Sequence, residues 1–216
     1  DYAIQARGGE HPMGKLPTPG LALLTNACNT YMKWGEIWER MFETPLFTLD
    51  VPGTRQNGTQ TWPGDPQFES EKRYVLGQLE ELIETCEDIT GKKFNMDKLK
   101  QTLEYSNRMS RAWKEIIECN QGNPAVFDAL SDGTSYLGVN NVWRGTEEGA
   151  IFFERLLEEK QWMVENNIGA VEEEKHRLAF IGVPCYPIFR DFSKLFSDWG
   201  GVFVSSTYMW FASGGN

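Results

Sequence analysis

The chain has 216 residues, 40% of them hydrophobic and 13% aromatic, which is enough to bury a core for one large domain or parts of two and too much for a disordered segment. With 21 Lys and Arg against 31 Asp and Glu, its formal charge of -10 excludes the clustered basic surface of a general nucleic-acid binder. No run approaches the roughly 20 apolar residues of a membrane-spanning helix, and the polar start from Asp1 to Lys15 has no apolar signal region, so a soluble, cytoplasmic protein is expected.

Leu21 to Thr25 is a short apolar run after Pro17, Pro19 and Gly20, which predicts a buried strand. Asn29 to Glu43 follows with Met32, Ile37, Trp38, Met41 and Phe42 at helical spacing, Asn29 or Thr30 as N-cap and Pro45 as the stop. Leu46 to Val51 is again strand-like, so the unit reads strand, helix, strand with short connections, as in a parallel sheet. Thr54 to Pro66, rich in Gly, Asn, Gln, Thr and Pro, predicts an exposed loop.

Amphipathic helices are predicted over Glu69 to Asp88 and, after the break at Thr90-Gly91-Lys92-Lys93, from about Asp97 to Cys119. Cys86 and Cys119 lie within them and read as buried small hydrophobes without chemistry. Asn120 to Asn141 reads as loop, Thr146 to about Asn166 as helix, and Leu178 to Val183 as another buried strand. A helix over Ile188 to Trp199, ended by Gly200-Gly201, and a strand at Val202 to Ser206 complete a second strand, helix, strand unit.

The four cysteines are far apart in sequence and form no short metal-binding spacing. Cys28 and Cys185, however, each fall just past the end of a predicted strand, where open α/β sheets bind ligands and where a following helix N-terminus stabilises a thiolate. Each admits two readings: a small residue where strand meets helix, or a thiolate held at a rigid turn with N–H groups around the sulfur, as iron ligation requires. The layout implies two Rossmann-like α/β lobes with parallel sheets facing a cleft and joined by a helical insert. On that division, residues 1–66 are part of the first lobe, 67–170 the insert and connection, and 171–216 the start of the second lobe.

Trp34 and Trp38 read as packing against the sheet, and His11 and His176 as surface histidines, with His11 also a candidate proton donor. The acidic runs Glu80-Glu81, Glu147-Glu148 and Glu172-Glu173-Glu174 read as solvated helix faces.

Thr25-Asn26-Ala27-Cys28-Asn29-Thr30, continuing through Lys33-Trp34, Glu36-Ile37-Trp38-Glu39-Arg40-Met41 and Phe47-Thr48-Leu49-Asp50-Val51-Pro52, resembles the segment around a cluster cysteine in the benzoyl-CoA reductase and 2-hydroxyacyl-CoA dehydratase family. Thr90-Gly91-Lys92, Leu103-Glu104-Tyr105-Ser106-Asn107 and Gly182-Val183-Pro184-Cys185-Tyr186-Pro187 are similar to later parts of the same subunits. The resemblance implies a 4Fe–4S cluster held by three cysteines with one iron site open, Cys28 being one ligand. The other two ligands would lie upstream and downstream of these residues, so the chain, which starts at Asp1 and not at Met, reads as partial.

The resemblance further implies one-electron reduction of an acyl-CoA substrate and a homologous second cluster-binding subunit. ATP is then used on a partner, an ATP-hydrolysing activator, with reduced ferredoxin as electron source; no phosphate-cradling Gly-rich loop is present in this chain. Cys185 and Tyr186 are the expected substrate contacts, joined by the loop from Gly53 to Trp62. The wording of Glu36 to Met41 is closer to the benzoyl-CoA reductase branch; a 2-hydroxyacyl-CoA dehydratase subunit, a non-catalytic scaffold or electron-transfer subunit, and a metal-free binding module stay open.

Overall fold

A computed structural model describes residues 19–53, 61–185 and 187–212. The architecture is α/β, mostly helical, with short parallel strand pairs, and the chain divides into two compact units, Asp1–Phe94 and Asn95–Asn216. Among the described residues no helix is long and apolar enough to cross a membrane.

In the first unit, β1 (Ala22–Thr25), α1 (Asn29–Phe42) and β2 (Leu46–Leu49) form the expected strand, helix, strand motif. The strands are parallel, with Ala22 opposite Leu46 and Thr25 opposite Leu49. Helix α1 packs on them through Gly35, the one buried residue of the helix; a Cβ there would run into the Leu24 side chain and lie 2.9 Å from Leu46 Cδ1. Glu43 ends the helix in the left-handed region at φ 52°, Pro45 prevents its resumption, and the Pro45 carbonyl accepts the Ala22 N–H at 2.9 Å, setting the strand register.

Helix α2 (Pro66–Thr90) begins with proline in its first turn, where the missing N–H costs nothing, and closes at Gly91, whose left-handed φ of 67° lets its N–H reach the Glu87 carbonyl at 2.8 Å. Cys86, expected to be buried, lies on an exposed part of this helix. Of the predicted loop at 54–66, residues 54–60 lie outside the described residues, and Trp62 donates its N–H to Asp65 at 2.8 Å in the turn before α2.

In the second unit, α3 (Met96–Cys119) is capped by Asn95, whose side chain accepts the Asp97 and Lys98 N–H groups. Only its second half is core: Met109, Trp113, Ile116 and Ile117 are buried, whereas Leu103 stays 52% exposed. Residues 120–141, read as loop, contain most of α4 (Ser131–Trp143). Its inward stripe is Gly133, Thr134, Leu137 and Asn140, a helical spacing written mostly in small and polar residues, so the apolar periodicity that betrays a helix is missing. Helix α5 (Glu147–Glu165) follows, with Thr146 as N-cap through its hydroxyl.

β3 (His176–Phe180), α6 (Phe189–Ser197), β4 (Gly201–Ser206) and α7 (Thr207–Ala212) finish the unit, with β3 and β4 parallel. β3 lies about two residues earlier than Leu178 to Val183: Gly182 at φ 129° breaks the extension, leaving Ile181 and Val183 exposed outside the strand. The core centres on Trp113, packed edge-on against Phe153 at 5.5 Å between ring centres, with Phe127, Leu130 and Met209 around it. Glu174, expected on a solvated helix face, is not helical and its side chain is 3% exposed, accepting the Ala125 N–H and pairing with Arg177 at 2.6 Å. His176 is exposed, as expected, as are Glu80-Glu81 and Glu147-Glu148.

Candidate functional site

Cys28 follows the end of β1 by three residues and is itself the N-cap of α1, one position ahead of the expected Asn29 or Thr30. Its backbone is extended (φ -140°, ψ 131°), its carbonyl accepts the Tyr31 N–H at 3.1 Å, and its thiol is exposed. The Thr30 N–H is the largest cause holding the thiol pKa below its ordinary value, with the Thr30 hydroxyl and the Tyr31 N–H adding to it and slight desolvation opposing. No formed side-chain cap accompanies these groups, so the effect is that of dipoles converging on the sulfur. The product is an accessible thiol at the helix start whose thiolate form is favoured.

The turn carrying Cys28 is held from the neighbouring strand. Asn26 Oδ1 accepts the Val51 N–H at 3.0 Å, and Asn26 Nδ2 donates to the Val51 carbonyl at 3.2 Å and to Asp50 Oδ1. Asp50 Oδ2 in turn accepts the Tyr74 hydroxyl of α2 at 3.0 Å. In the sequence Asn26 and Asp50 read only as members of a motif; the signal was their matching place, each just past the end of a strand of the same parallel pair.

Trp34, expected to pack on the sheet, is 56% exposed and tilted against Tyr31 at 6.3 Å, because Gly35 and not Trp34 takes the inward position of α1. Trp38 is half-buried, its ring 4.7 Å from that of Phe42 and tilted by 31° to it.

Cys185 lies in the second unit, half-buried after buried Pro184, its carbonyl accepting the Ile188 N–H at 2.9 Å. The next helix starts only at Phe189, with Ile188 as its N-cap, so the parallel with Cys28, itself an N-cap, is incomplete. Tyr186 and His11 lie outside the described residues. A groove of about 570 Å³ in the same unit is lined by Glu115, Glu118 and Glu165 beside Cys119, a charge that repels a CoA phosphate.

The sequence model of the family described as 2-hydroxyglutaryl-CoA dehydratase, D-component, matches residues 3–215. This chain belongs to that family. Among its dehydratase and reductase relatives is a benzoyl-CoA reductase subunit of Thauera aromatica, 31% identical over 96% of this chain and 49% of that protein. The alpha subunit of (R)-2-hydroxyglutaryl-CoA dehydratase of Acidaminococcus fermentans is 34% identical over 80% of this chain and 35% of that protein. The (R)-2-hydroxyisocaproyl-CoA dehydratase alpha subunit of Clostridioides difficile is 28% identical over 96% and 49%. The chain therefore spans about half, or less, of the length of each of these relatives, all of which are named as subunits.

Among the described residues of this D-component family chain, no three His, Cys, Asp or Glu side chains converge as a metal site. The Cys28 thiol has chemistry that would fit one thiolate ligand of an iron–sulfur cluster: it is exposed, its pKa is lowered, and N–H dipoles are directed at the sulfur.

Proposed function

We propose that this chain is part of the iron–sulfur subunit of an ATP-dependent, low-potential one-electron reductase acting on an aromatic acyl-CoA thioester, with Cys28 as one thiolate ligand of a 4Fe–4S cluster. The observation that carries the reading is the Cys28 thiol, exposed at the N-terminus of α1 beyond the end of β1 and favoured as thiolate by the Thr30 and Tyr31 N–H groups. Such a cluster, with Cys28 as one of its ligands, would supply a low-potential electron to the thioester.

This chain's own part is to present the Cys28 thiol with its thiolate form favoured. The extended Cys28 backbone and the first turn of α1 set where the side chain leaves the main chain, and the strand pair holds the turn. Cys185 and Tyr186 are proposed substrate contacts, and 1–66, 67–170 and 171–216 the first Rossmann-like lobe, insert and second lobe. The subunit is placed in the cytoplasm with an acyl-CoA substrate, a homologous cluster-binding subunit, an ATP-hydrolysing activator and reduced ferredoxin as electron source.

A second reading, a 2-hydroxyacyl-CoA dehydratase subunit, is favoured equally by the likeness to the (R)-2-hydroxyglutaryl-CoA dehydratase alpha subunit. Both readings share the Cys28 ligand, and turnover of benzoyl-CoA against 2-hydroxyacyl-CoA thioesters separates them. The shared part is tested by isolating the full-length protein with its partner anaerobically and measuring iron and visible absorption beside a Cys28→Ser variant. Iron present in the parent and lost in the variant supports it; a folded parent without iron leaves a scaffold or a metal-free binding module.

A further inference from the structure

The hydrogen bonds around Asn26 exceed what pairing two four-residue strands requires. At the amino ends of β1 and β2, among the described residues, the Ala22 N–H to the Pro45 carbonyl starts the ladder, and the one side-chain bond beside it is the long contact of the Thr44 hydroxyl to the Pro19 carbonyl at 3.5 Å. At the carboxyl ends the ladder already reaches past the strands through the Asn26 N–H and the Leu49 carbonyl at 3.4 Å. Yet there the Asn26 side chain also clamps Val51 from both sides and donates to Asp50. Helix α2 braces the same point: Gln78 accepts the Asp50 N–H at 2.8 Å and donates to the Asp50 carbonyl at 2.9 Å, while Tyr74 donates to the Asp50 carboxylate.

Ordering that many side chains near water is costly in entropy, and the segment that gains from it is the turn Asn26-Ala27-Cys28. We propose that Asn26 and Asp50, backed by Tyr74 and Gln78, are positioning residues that fix the direction in which Cys28 presents its sulfur. The assignment rests on reading Cys28 as a cluster ligand. None of the four touches the sulfur; they act through the turn, as partners behind a metal ligand do.

The test uses the full-length protein isolated anaerobically with its partner, in parent form and as Asn26→Ala, Asp50→Ala, Asp50→Asn, Tyr74→Phe and Cys28→Ser. Iron per protein, the EPR spectrum of the reduced cluster and the half-time of iron loss to an excess of a ferrous chelator are recorded, with thermal unfolding as the check on folding. Asn26→Ala and Asp50→Ala are expected to lose iron about tenfold faster and to change the EPR line shape. Asp50→Asn, which keeps an acceptor, restores most of the parent behaviour. Tyr74→Phe removes one hydroxyl, so it serves even if the alanine variants fail to fold, and is expected to speed iron loss about threefold. Parent-like iron retention and EPR spectra in every folded variant, with iron lost in Cys28→Ser, overturn the positioning role and leave the ligand reading standing. Full iron in Cys28→Ser overturns both.

Discussion

The Asp128 carboxylate accepts the Phe203 N–H at 3.0 Å, and the Phe203 carbonyl accepts the Ala129 N–H at 2.6 Å, so two consecutive residues before α4 are fastened to one residue of β4. The other Asp128 oxygen takes the N–H groups of Leu130 and Ser131 at 3.0 and 2.8 Å. Asp128→Ala strands these donors in a site where Asp128 is 8% exposed and Phe203 5%. The expected loss is about 3 kcal/mol, read as a lower denaturant midpoint, with a smaller loss for Asp128→Asn because one acceptor oxygen survives.

Arg108 grips Glu154 with two parallel bonds, Nε to Oε1 at 2.8 Å and Nη2 to Oε2 at 2.7 Å, joining α3 to α5. The Arg108 guanidinium holds the Glu154 carboxyl below the ordinary glutamate range. A carboxylate whose folded pKa is depressed contributes stability at neutral pH that is lost as pH falls from about 4.3, the unfolded value, through the folded one. Glu154→Gln should flatten that acid limb of the stability profile, and salt should shrink the difference from the parent, since both side chains remain partly in water.

In cluster-free protein the cysteines should separate by alkylation rate. Cys28 is exposed with its pKa lowered, whereas burial, followed by the Glu115 carboxylate, pushes the Cys119 thiol up. Iodoacetamide at neutral pH, followed by peptide mass spectrometry, is expected to label Cys28 well before Cys119. Equal rates would contradict the thiolate environment described for Cys28.

Gly35 is where α1 comes closest to its sheet. Gly35→Val places methyl groups against Leu24 and Leu46 and adds β-branching inside a helix. A destabilisation of about 1–3 kcal/mol is expected in thermal or denaturant unfolding. Substituting exposed Trp34 by Gln, one position earlier, should cost little by the same measurement.

Both strand, helix, strand units were legible because their apolar runs and stop signals, Pro45 and Gly200-Gly201, are local. Cys28 was legible for the same reason, as the residue between a strand end and a helix start. What sequence missed depends on partners distant in the chain. Helix α4 hides its period in Gly133, Thr134 and Asn140, whose inward placement follows from packing and not from hydrophobicity. Glu174 reads as one more surface acid in sequence because the partner that draws it inward, the Ala125 N–H, lies 49 residues away. Asn26 and Asp50 are 24 residues apart and acquire meaning only when β1 and β2 pair.

One irregularity in β4 bears on how this sequence tolerates insertion and deletion. Leu178 pairs with Phe203 but Ala179 with Ser205, so Val204 is an extra residue in the ladder, and its carbonyl is taken by the buried Asn120 amide at 3.3 Å. Strands elsewhere accept a lost residue by sliding one position, at the expense of turning every following side chain over. Here, deleting Val204 would make the ladder regular, keeping Ser205 and Ser206 on their faces while leaving Asn120 without that acceptor. The strand thus carries a spare position that a side chain more than 80 residues upstream holds in place, so the cost of shortening β4 falls on Asn120 and not on the strand's own facing.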